Sequence, residues 1–515
     1  MSFNIAMLLQ ESARRDPQKT AIILDHIHVS YQQLDQASRT FASALAQLGV
    51  NKGDRVMLMI PNLPEFPICF FGIGHIGAVS VPVNVLYKER EISFRLKDSK
   101  SKILVVWEDF LEEALKSHQA VDSCEQLIVI RRKERNISPS DTNLIDFQKV
   151  MAAARGSLDM QFTGADDPAV ILYTSGTTGV PKGAVLSHFS IFYQSAYAPL
   201  SGRGKKEERE IIGIAHLPFF HVYGLFNVLC ATISLGGTIT LLPRYEPGKV
   251  LQVIERDKVT DFNGVPTMYN RLYYHPDFKN RDLSSLFFCG CGGAPLPVEL
   301  AEAWEAATGV IIEEGYGMTE TGSGVSTNAV DQVEAKIGSA GKPMWGNEIK
   351  IVDTEGQPLP QGELGEVVCR GPGMMNGYFN RPEANASSFR NGWLNTGDIG
   401  YLDEEGYLFL VDRKKEMIIR GGFNVYPRQI EEILYEHPAV QECAVIGVPH
   451  DDLGEEVKAV LYLKAGSSCS EDEIRTFCKE RMAAFKYPRI VEILEEELPK
   501  SATGKILKRQ LKSSS

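Results

Sequence analysis

Residues 173–183 read Tyr-Thr-Ser-Gly-Thr-Thr-Gly-Val-Pro-Lys-Gly and directly follow the apolar run Ala169–Leu172. After this candidate strand, five hydroxyl residues, three glycines and a lysine provide hydroxyl and backbone N–H donors and one fixed positive charge. Such donors are suited to binding phosphate. The segment is not the common nucleotide-binding loop, because Pro181 precedes the lysine and Gly183 follows it, where that loop needs Gly-Lys-Ser/Thr. Taken alone, the segment predicts a phosphate site and no particular reaction.

Short apolar runs that favour strands alternate with amphipathic helical stretches through most of the chain. Among the strands that this pattern predicts are Arg55–Ile60, Ala78–Val83, Lys102–Val106 and Gln126–Ile130. Alternating strands and helices are typical of α/β layers with largely parallel sheets. The chain of 515 residues is several times the size of a usual single domain, so more than one domain is expected.

A domain boundary is predicted after the apolar run Tyr407–Val411, where the charged residues 412–416 begin. From residue 413 onward the chain has 17 basic and 17 acidic residues, so residues 1–412 carry the whole net charge of −12. The pattern beyond the boundary is strand, helix, strand, strand and helix, which indicates a small α+β domain. We therefore predict two domains, 1–412 and 413–515.

Charge and composition exclude several classes of protein. A net charge of −12 argues against nucleic-acid binding and against binding to anionic membranes by charge alone. Nine cysteines scattered between Cys69 and Cys478 do not form a disulfide framework, and the close pair Cys289 and Cys291 lacks partners at metal-ligand spacing. No signal peptide is expected at the N-terminus, and the uncharged run Phe66–Tyr87 is interrupted by prolines and glycines. We expect a buried helix followed by a buried strand there, no integral membrane segment and a cytoplasmic protein.

Six further motifs follow the phosphate loop. They are Leu217–His221, Gly290–Pro295, Gly315–Thr321, Asn395–Asp398, Asp412–Lys415 with the glycines up to Gly422, and Pro499–Lys505. With this set in this order, the chain resembles the superfamily of acyl-CoA synthetases, peptide-synthetase adenylation domains and luciferases, from about Thr20 to Leu511. Among its members, the chain is most similar to bacterial fatty acyl-CoA ligases.

The resemblance implies a fold and a reaction. The fold would be α/β, with a large multi-sheet N-terminal domain and a small mobile α+β C-terminal domain that turns on a hinge at Lys415. The reaction would have two steps. A carboxylic acid would react with ATP to give an acyl-adenylate and pyrophosphate, and the thiol of coenzyme A would then displace AMP. ATP, Mg²⁺ and coenzyme A are thus expected, together with a medium- to long-chain fatty acid.

The resemblance assigns most motif residues to ATP. The phosphate loop would contain Thr174, Ser175, Gly176, Thr177, Thr178, Gly179 and Lys182. Gly293, Ala294, Gly315, Tyr316 and Gly317 would enclose adenine, with Thr319 also in the ATP site, and Asp398 and Arg413 would bind the ribose. Glu320 and Thr174 would hold the magnesium ion. The predicted catalytic residues are Lys505, which would stand between the carboxylate and the α-phosphate, Thr174, Lys182 and Glu320.

Each of these roles has a plainer alternative. Outside this family, Glu320 would be a surface carboxylate at a helix, Asp398 part of a turn, and Lys505 part of a solvated basic tail. His221 resembles the aromatic gate of the acyl pocket, although a lone histidine among aromatic residues is more often part of the core. Gly421 and Gly422 would let the thin pantetheine arm of coenzyme A pass, and a tight β-turn is the alternative.

The acid pocket is predicted from the same resemblance. Its candidate residues beyond His221 are Val222, Tyr223, Gly224, Val265, Pro266, Phe288, Gly290, Met318 and Gly322. No acidic residue stands among them to receive an α-amino group, which disfavours an amino-acid substrate by analogy.

Other functions stay open. An aryl or short-chain acid–CoA ligase and an adenylate-forming enzyme that loads a carrier protein use the same motifs. A non-catalytic sensor would be expected to have lost Lys505 or Glu320, and both are present. Acyl length and regulation are not evident from the sequence, and a homodimer and a transient membrane contact also remain open.

Overall fold

A computed structural model describes residues 2–132, 144–156, 158–174, 180–197, 209–328 and 335–513. The strands in these ranges pair into four sheets, two of them large and built mainly of parallel strands. Helices alternate with the strands of both large sheets. The predicted α/β class, with a large multi-sheet N-terminal part and a small C-terminal part, is confirmed.

The first sheet contains the strand that leads into the phosphate loop. In spatial order its described strands are Gly377–Tyr378, Lys182–Ser187, Pro168–Thr174, Val79–Pro82, Arg55–Met59, Ser101–Trp107, Gln126–Ile130 and Leu144–Asp146. From Pro168–Thr174 to Leu144–Asp146 the neighbouring strands are parallel, and the other two are antiparallel to their neighbours. The strands predicted here from alternation are confirmed to within one residue at each end.

The second sheet supplies several of the other motifs. In spatial order its described strands are Lys342–Pro343, Ser323–Thr327, Ile312–Met318, Phe288–Gly292, Asp261–Gly264, Ile212–Ala215, Thr238–Leu241, Thr20–Leu24 and Ile27–Ser30. The central strands are parallel, and both edges are antiparallel. Cys289 and Cys291 are buried free thiols in one of the central strands.

The third and fourth sheets lie later in the chain. The third contains Glu348–Val352, Gly365–Arg370, Trp393–Leu402, Phe389–Arg390 and Leu408–Arg413, all paired antiparallel. The fourth contains Phe423–Val425, Ile418–Arg420, Gly454–Leu463, Val440–His450 and Ile490–Leu494. Residues 418–513, which include this sheet, are called the C-terminal unit below. Two features stay predictions. One is the domain boundary after residue 412, near the end of Leu408–Arg413, and the other is the hinge at Lys415.

The described helices vary from one turn to almost five. The α-helices are Ala6–Arg15, Tyr31–Gln47, Glu65–His75, Glu89–Ser99, Leu111–Gln119, Phe147–Ala153, His188–Phe192, Ala231–Ser234, Pro247–Asp257, Pro266–Tyr273, Val298–Thr308, Pro382–Ser388, Pro427–Tyr435, Glu471–Arg481 and Lys508–Ser513. Short 3₁₀ segments occur at Glu108–Phe110, Phe278–Asn280 and Thr319–Thr321, and π-helical segments at Tyr193–Tyr197 and Tyr223–Cys230. None of the helices in the described ranges has the length and apolar character needed to span a bilayer.

One buried cluster contains side chains of both large sheets, such as Leu58 and Ile239, together with Phe66 and Phe70. The two phenylalanines belong to the helix Glu65–His75, which is followed by the buried strand Val79–Pro82. The predicted change from buried helix to buried strand is therefore confirmed. The shared core fixes the two large sheets relative to each other, and hence the motifs that their strands carry.

Candidate active site

A cavity of about 1270 Å³ is lined by residues of the first three sheets and of the C-terminal unit. Three neighbouring strands of the second sheet, Asp261–Gly264, Phe288–Gly292 and Ile312–Met318, end at this cavity. The strand Pro168–Thr174 of the first sheet also ends there. Ligands of α/β proteins bind at the carboxyl ends of parallel strands. The topology therefore brings motifs that are far apart in the sequence to one place.

The cavity collects most of the residues predicted for the site. Its walls include Thr174, Lys182, His221, Val222, Tyr223, Val265, Pro266, Phe288, Gly290, Gly293, Ala294, Gly315, Tyr316, Gly317, Met318, Thr319, Glu320, Asp398, Arg413, Lys415 and Lys505. The remaining loop residues Ser175, Gly176, Thr177, Thr178 and Gly179 lie outside the described residues.

Four predicted residues lie elsewhere. Gly224 and Gly322 are outside the lining, and each faces a main-chain carbonyl, of Pro218 and Gly373 respectively, so closely that a Cβ would clash with it. Gly421 and Gly422 form the turn between Ile418–Arg420 and Phe423–Val425 and are exposed. In this domain arrangement the turn does not line the cavity, and its role in the passage of coenzyme A stays a prediction.

The predicted phosphate end of the cavity is built on paired strands. Thr174 and Lys182 are register partners, and the hydroxyl of Thr174 donates to the carbonyl oxygen of Lys182 at 3.5 Å. The ammonium of Lys182 lies 5.0 Å from the ring centre of Tyr378. The hydroxyl of Tyr378 donates in turn to Oε1 of Glu320 at 2.7 Å. Tyr378 thus connects the loop lysine with the predicted magnesium-binding glutamate, and the sequence analysis missed it because a Gly-Tyr pair carries no motif of its own.

Glu320 and Thr174 fit a magnesium ion that arrives with a nucleotide. Among the described residues, no group of three or more histidine, cysteine, aspartate or glutamate side chains is placed to hold a metal. Mg²⁺ usually keeps several waters and is bound by one or two carboxylates plus substrate phosphates. A carboxylate and a hydroxyl at the phosphate end match that coordination, whereas the described residues at this end offer too few donors for a metal caged by protein ligands alone.

The predicted ribose end of the cavity is formed by a cross-strand pair. Asp398 and Arg413 are register partners in the third sheet, with Arg413 Nε 3.4 Å from Asp398 Oδ1. The hydroxyl of Tyr316 donates to Oδ2 of Asp398 at 2.6 Å. Burial raises the pKa of Asp398, and the guanidinium of Arg413 and the hydroxyl of Tyr316 offset part of this effect. The carboxylate is therefore held in one orientation, with acceptor oxygens suited to a vicinal diol.

Lys505 enters the cavity from a tight loop of the C-terminal unit. Its backbone N–H donates to Oγ of Ser501 at 3.1 Å, and Ser501 N–H donates to the Lys505 carbonyl at 2.8 Å. Gly293 has φ of +83°, and a Cβ built on it would lie 3.1 Å from Cε of Lys505, so a side chain at this position would crowd the lysine stem. Burial lowers the pKa of Lys505 to about 8, and the charge of Arg413 acts in the same direction. The lysine thus reaches the middle of the site as a partly desolvated cation.

His221 lines the cavity at the predicted acid pocket. Burial lowers its pKa to about 3, with the charge of Lys505 acting in the same direction. Its Nδ1 accepts a hydrogen bond from the Tyr223 N–H at 3.3 Å, which leaves the proton on Nε2 of the neutral ring. The ring is therefore an uncharged wall of the pocket near neutral pH. The hydroxyl of Tyr223 donates to Oδ1 of Asn263 at 3.2 Å.

Polar residues also line this part of the cavity. Ser323 has φ of 106°, which is unusual for a residue with a side chain. Its hydroxyl donates to Oδ1 of Asn227 at 2.5 Å. Both residues line the cavity, as do Ala231 and Met344. The sequence analysis missed Asn227 and Ser323, because a single asparagine within an apolar helix and a serine between two glycines carry no motif.

Known proteins with the same arrangement were found by sequence and by structure. Residues 9–379 match the family model described as AMP-binding enzyme, and residues 429–505 match the model of the AMP-binding enzyme C-terminal domain. The long-chain-fatty-acid–CoA ligase of Bacillus subtilis (strain 168) is 37% identical, covering 98% of this chain and 93% of the relative. The feruloyl-CoA synthase of an Amycolatopsis species is 36% identical, covering 97% and 96%. The solved anthranilate CoA ligase AuaEII, in complex with anthranoyl-AMP, has a TM-score of 0.91 at 32% identity, covering 100% of this chain and 97% of that chain.

Proposed function

The chain belongs to the AMP-binding enzyme family and is an ATP-dependent acid–CoA ligase, and on that premise we propose that its acid is a medium- to long-chain fatty acid. The part of the cavity lining past His221 and Tyr223, which includes Ala231 and Met344 and is called the acid branch below, carries the proposal. A branch of this kind suits an acyl chain. The nearly full-length similarity to a long-chain-fatty-acid–CoA ligase supports the same choice.

In the first step, a carboxylate oxygen attacks the α-phosphorus of ATP, and pyrophosphate leaves. Two anions must approach each other, so the site has to cancel their repulsion. We assign this role to the ammonium of Lys505, because its charge acts on His221 at the acid branch and the Glu320 carboxylate at the phosphate end acts on it, while Lys182 would hold the outer phosphates. Asp398 fixes the ribose and hence the position of the α-phosphate. Magnesium, when bound at Glu320 and Thr174, would neutralise further phosphate charge.

In the second step, the thiol of coenzyme A attacks the acyl carbon and AMP leaves with the former carboxylate oxygen. Lys505 occupies the centre of the site in this structure, so we propose that the C-terminal unit turns on Lys415 to withdraw it. The turn at Gly421 and Gly422 would then border the passage of the pantetheine arm.

The reaction draws on ATP and coenzyme A, and the cysteines, all within the described residues, are free thiols. Both features support a cytoplasmic enzyme.

An aryl acid is the second candidate. Asn227 and Ser323 are polar, line the acid branch and are joined by a hydrogen bond. An unsubstituted alkyl chain offers these two groups no hydrogen bond beyond the one they share, so desolvation of their remaining donors and acceptors costs binding energy. A phenol or an aryl amine could bind them. The similarity to a feruloyl-CoA synthase and to an anthranilate CoA ligase supports this alternative.

A series of substrates distinguishes the fatty-acid proposal from the aryl-acid alternative. Pyrophosphate release is measured with coenzyme A for straight-chain acids from acetate to palmitate, below their micelle concentrations, with benzoate and coumarate alongside. In an apolar channel each methylene adds up to ~0.8 kcal/mol of binding, so kcat/KM should rise several-fold per CH₂ until the channel is full. A rise that continues past octanoate supports the fatty-acid proposal. If kcat/KM for an aromatic acid or for acetate exceeds that for every acid longer than hexanoate, the fatty-acid proposal is wrong, and only the assignment as an acid–CoA ligase survives.

A further inference from the structure

The helix Pro266–Tyr273 joins the acid side of the cavity to the C-terminal unit. It begins after Val265, which lines the cavity. Three polar residues of the helix contact the C-terminal unit. Thr267 Oγ1 donates to the Gly504 carbonyl at 2.6 Å, Asn270 Nδ2 donates to the Gln441 carbonyl at 3.1 Å, and Arg271 Nη2 lies 3.1 Å from Glu497 Oε2. Positions three and four apart share one face of a helix, so this face is where the C-terminal unit docks.

The contact of Thr267 differs from the other two because it reaches the residue before Lys505. Gly504 has φ of +82°, and a Cβ there would lie 2.9 Å from Val265 Cγ2 and 3.1 Å from Thr267 Oγ1. The loop is thus held from within by Ser501 and from the opposite domain by Thr267. The ion pair between Arg271 and Glu497 holds the loop less firmly. Glu497 is shared with Lys500 at 2.8 Å, and both members of the Arg271 pair are partly exposed, so solvent weakens it.

We propose that Thr267 is a positioning residue for adenylation. Its hydroxyl donates to the Gly504 carbonyl, and this hydrogen bond, called the latch below, fixes the position of the Lys505 ammonium in the site. The proposal rests on the role assigned to Lys505 above. The latch can exist only while the C-terminal unit is docked on this helix. It therefore acts on the first step and has no part in the second, for which Lys505 must leave.

The test measures both half-reactions separately. Thr267→Val keeps the shape of the side chain and removes the donor, Thr267→Ser keeps the donor, and Thr238→Val is the matched control. The hydroxyl of Thr238 also donates to a distant main-chain carbonyl, that of Thr20 at 2.7 Å, but within the N-terminal part. Adenylation is followed by pyrophosphate release without coenzyme A, and thioester formation is followed from supplied acyl-adenylate. Lys505→Ala is measured alongside.

Thr267→Val should lower kcat of adenylation roughly threefold to tenfold, the range expected for one net hydrogen bond. The KM for ATP should change little, and the rate of thioester formation should not fall. Thr267→Ser should restore adenylation, and Thr238→Val should leave both rates per folded enzyme unchanged. Equal loss in both half-reactions, or no loss in either, overturns the latch. If Lys505→Ala also slows both steps equally, the assigned role of Lys505 fails, and the latch fails with it.

Discussion

The hydroxyl of Tyr316 donates to Oδ2 of Asp398 at 2.6 Å, joining the end of a strand of the second sheet to the third sheet. Both residues are buried, and Arg413 approaches the other carboxylate oxygen. The side chain predicted to bind the ribose is thus oriented before any nucleotide arrives. Preorganisation of this kind reduces the entropy that binding costs.

Removing the Tyr316 hydroxyl should weaken nucleotide binding. In Tyr316→Phe the Asp398 carboxylate loses a buried donor, and a hydrogen bond to a charged group contributes about 1.5–3 kcal/mol. We expect KM for ATP to rise by roughly tenfold or more with a smaller effect on kcat, as measured by initial rates of pyrophosphate release. Tyr401→Phe, which removes a phenol hydroxyl from the strand that carries Asp398 but lies outside the cavity lining, serves as the control. An unchanged KM would contradict the ribose assignment.

Lys505→Ala should separate the two half-reactions. The ammonium is needed only while negative charge builds at the α-phosphorus, and loss of one such preorganised contact typically costs about 10²–10³ in rate. Adenylation should fall by that factor. Thioester formation from supplied acyl-adenylate should be largely retained, because Lys505 has left the site by then. The check is single-turnover kinetics of each step, and a similar loss in both steps would remove Lys505 from its assigned role.

Adenylation should weaken at alkaline pH. Burial and the neighbouring Arg413 lower the pKa of Lys505 to about 8, against the opposing carboxylates of Asp398, Glu416 and Glu320. The lysine is protonated and active below that pKa and loses its charge above it. The value of kcat/KM for ATP, which reflects the free enzyme, should therefore fall as pH rises through about 8. Lys505→Arg, whose guanidinium stays charged, should be slower and lack this alkaline decline. A wild-type profile that stays flat to about pH 10, near the ordinary lysine pKa, would contradict the assignment.

Gly421→Leu should block the second step. Gly421 has φ of +57°, so any side chain strains the turn, and the leucine should also narrow the proposed pantetheine passage. Acyl-adenylate should accumulate while thioester formation falls. Gly466→Leu is the matched control, because Gly466 has φ of +78° in another turn of the C-terminal unit with open space around it. Quenched-flow analysis of both products would show this, and wild-type rates of both steps in Gly421→Leu would make Gly421 a turn residue only.

The sequence predicted the parts of the molecule that depend on local pattern. Strands such as Gln126–Ile130 were located by their apolar composition, because a strand in a parallel sheet is buried on both faces. The motifs were found because phosphate binding and tight turns restrict the residue types allowed. Placement of Thr174, Asp398 and Lys505 around one cavity then followed from the resemblance and not from periodicity.

The contacts that the sequence did not predict join distant parts of the chain. Tyr378 reaches Glu320 across 58 positions, and Thr267 reaches Gly504 across 237. Such pairs depend on how sheets and domains pack, for which no local spacing rule exists. The roles of Gly224 and Gly322 were assigned by analogy to the pocket, whereas each is packed against a main-chain carbonyl. Short motifs locate a site, but the side chains that orient it come from the tertiary fold.

The carboxylate oxygens of the acid can be followed through both steps of the reaction. With acid labelled by ¹⁸O at both carboxylate oxygens, attack on the α-phosphorus transfers a single labelled oxygen to AMP when the thiol displaces it. Mass spectrometry of AMP, pyrophosphate and the thioester after one turnover shows how the ¹⁸O label is distributed among these products. We predict label in AMP and in the thioester carbonyl, with unlabelled pyrophosphate. Label in pyrophosphate or inorganic phosphate, or unlabelled AMP, would contradict the adenylate mechanism assigned to Lys505, Asp398 and the phosphate loop.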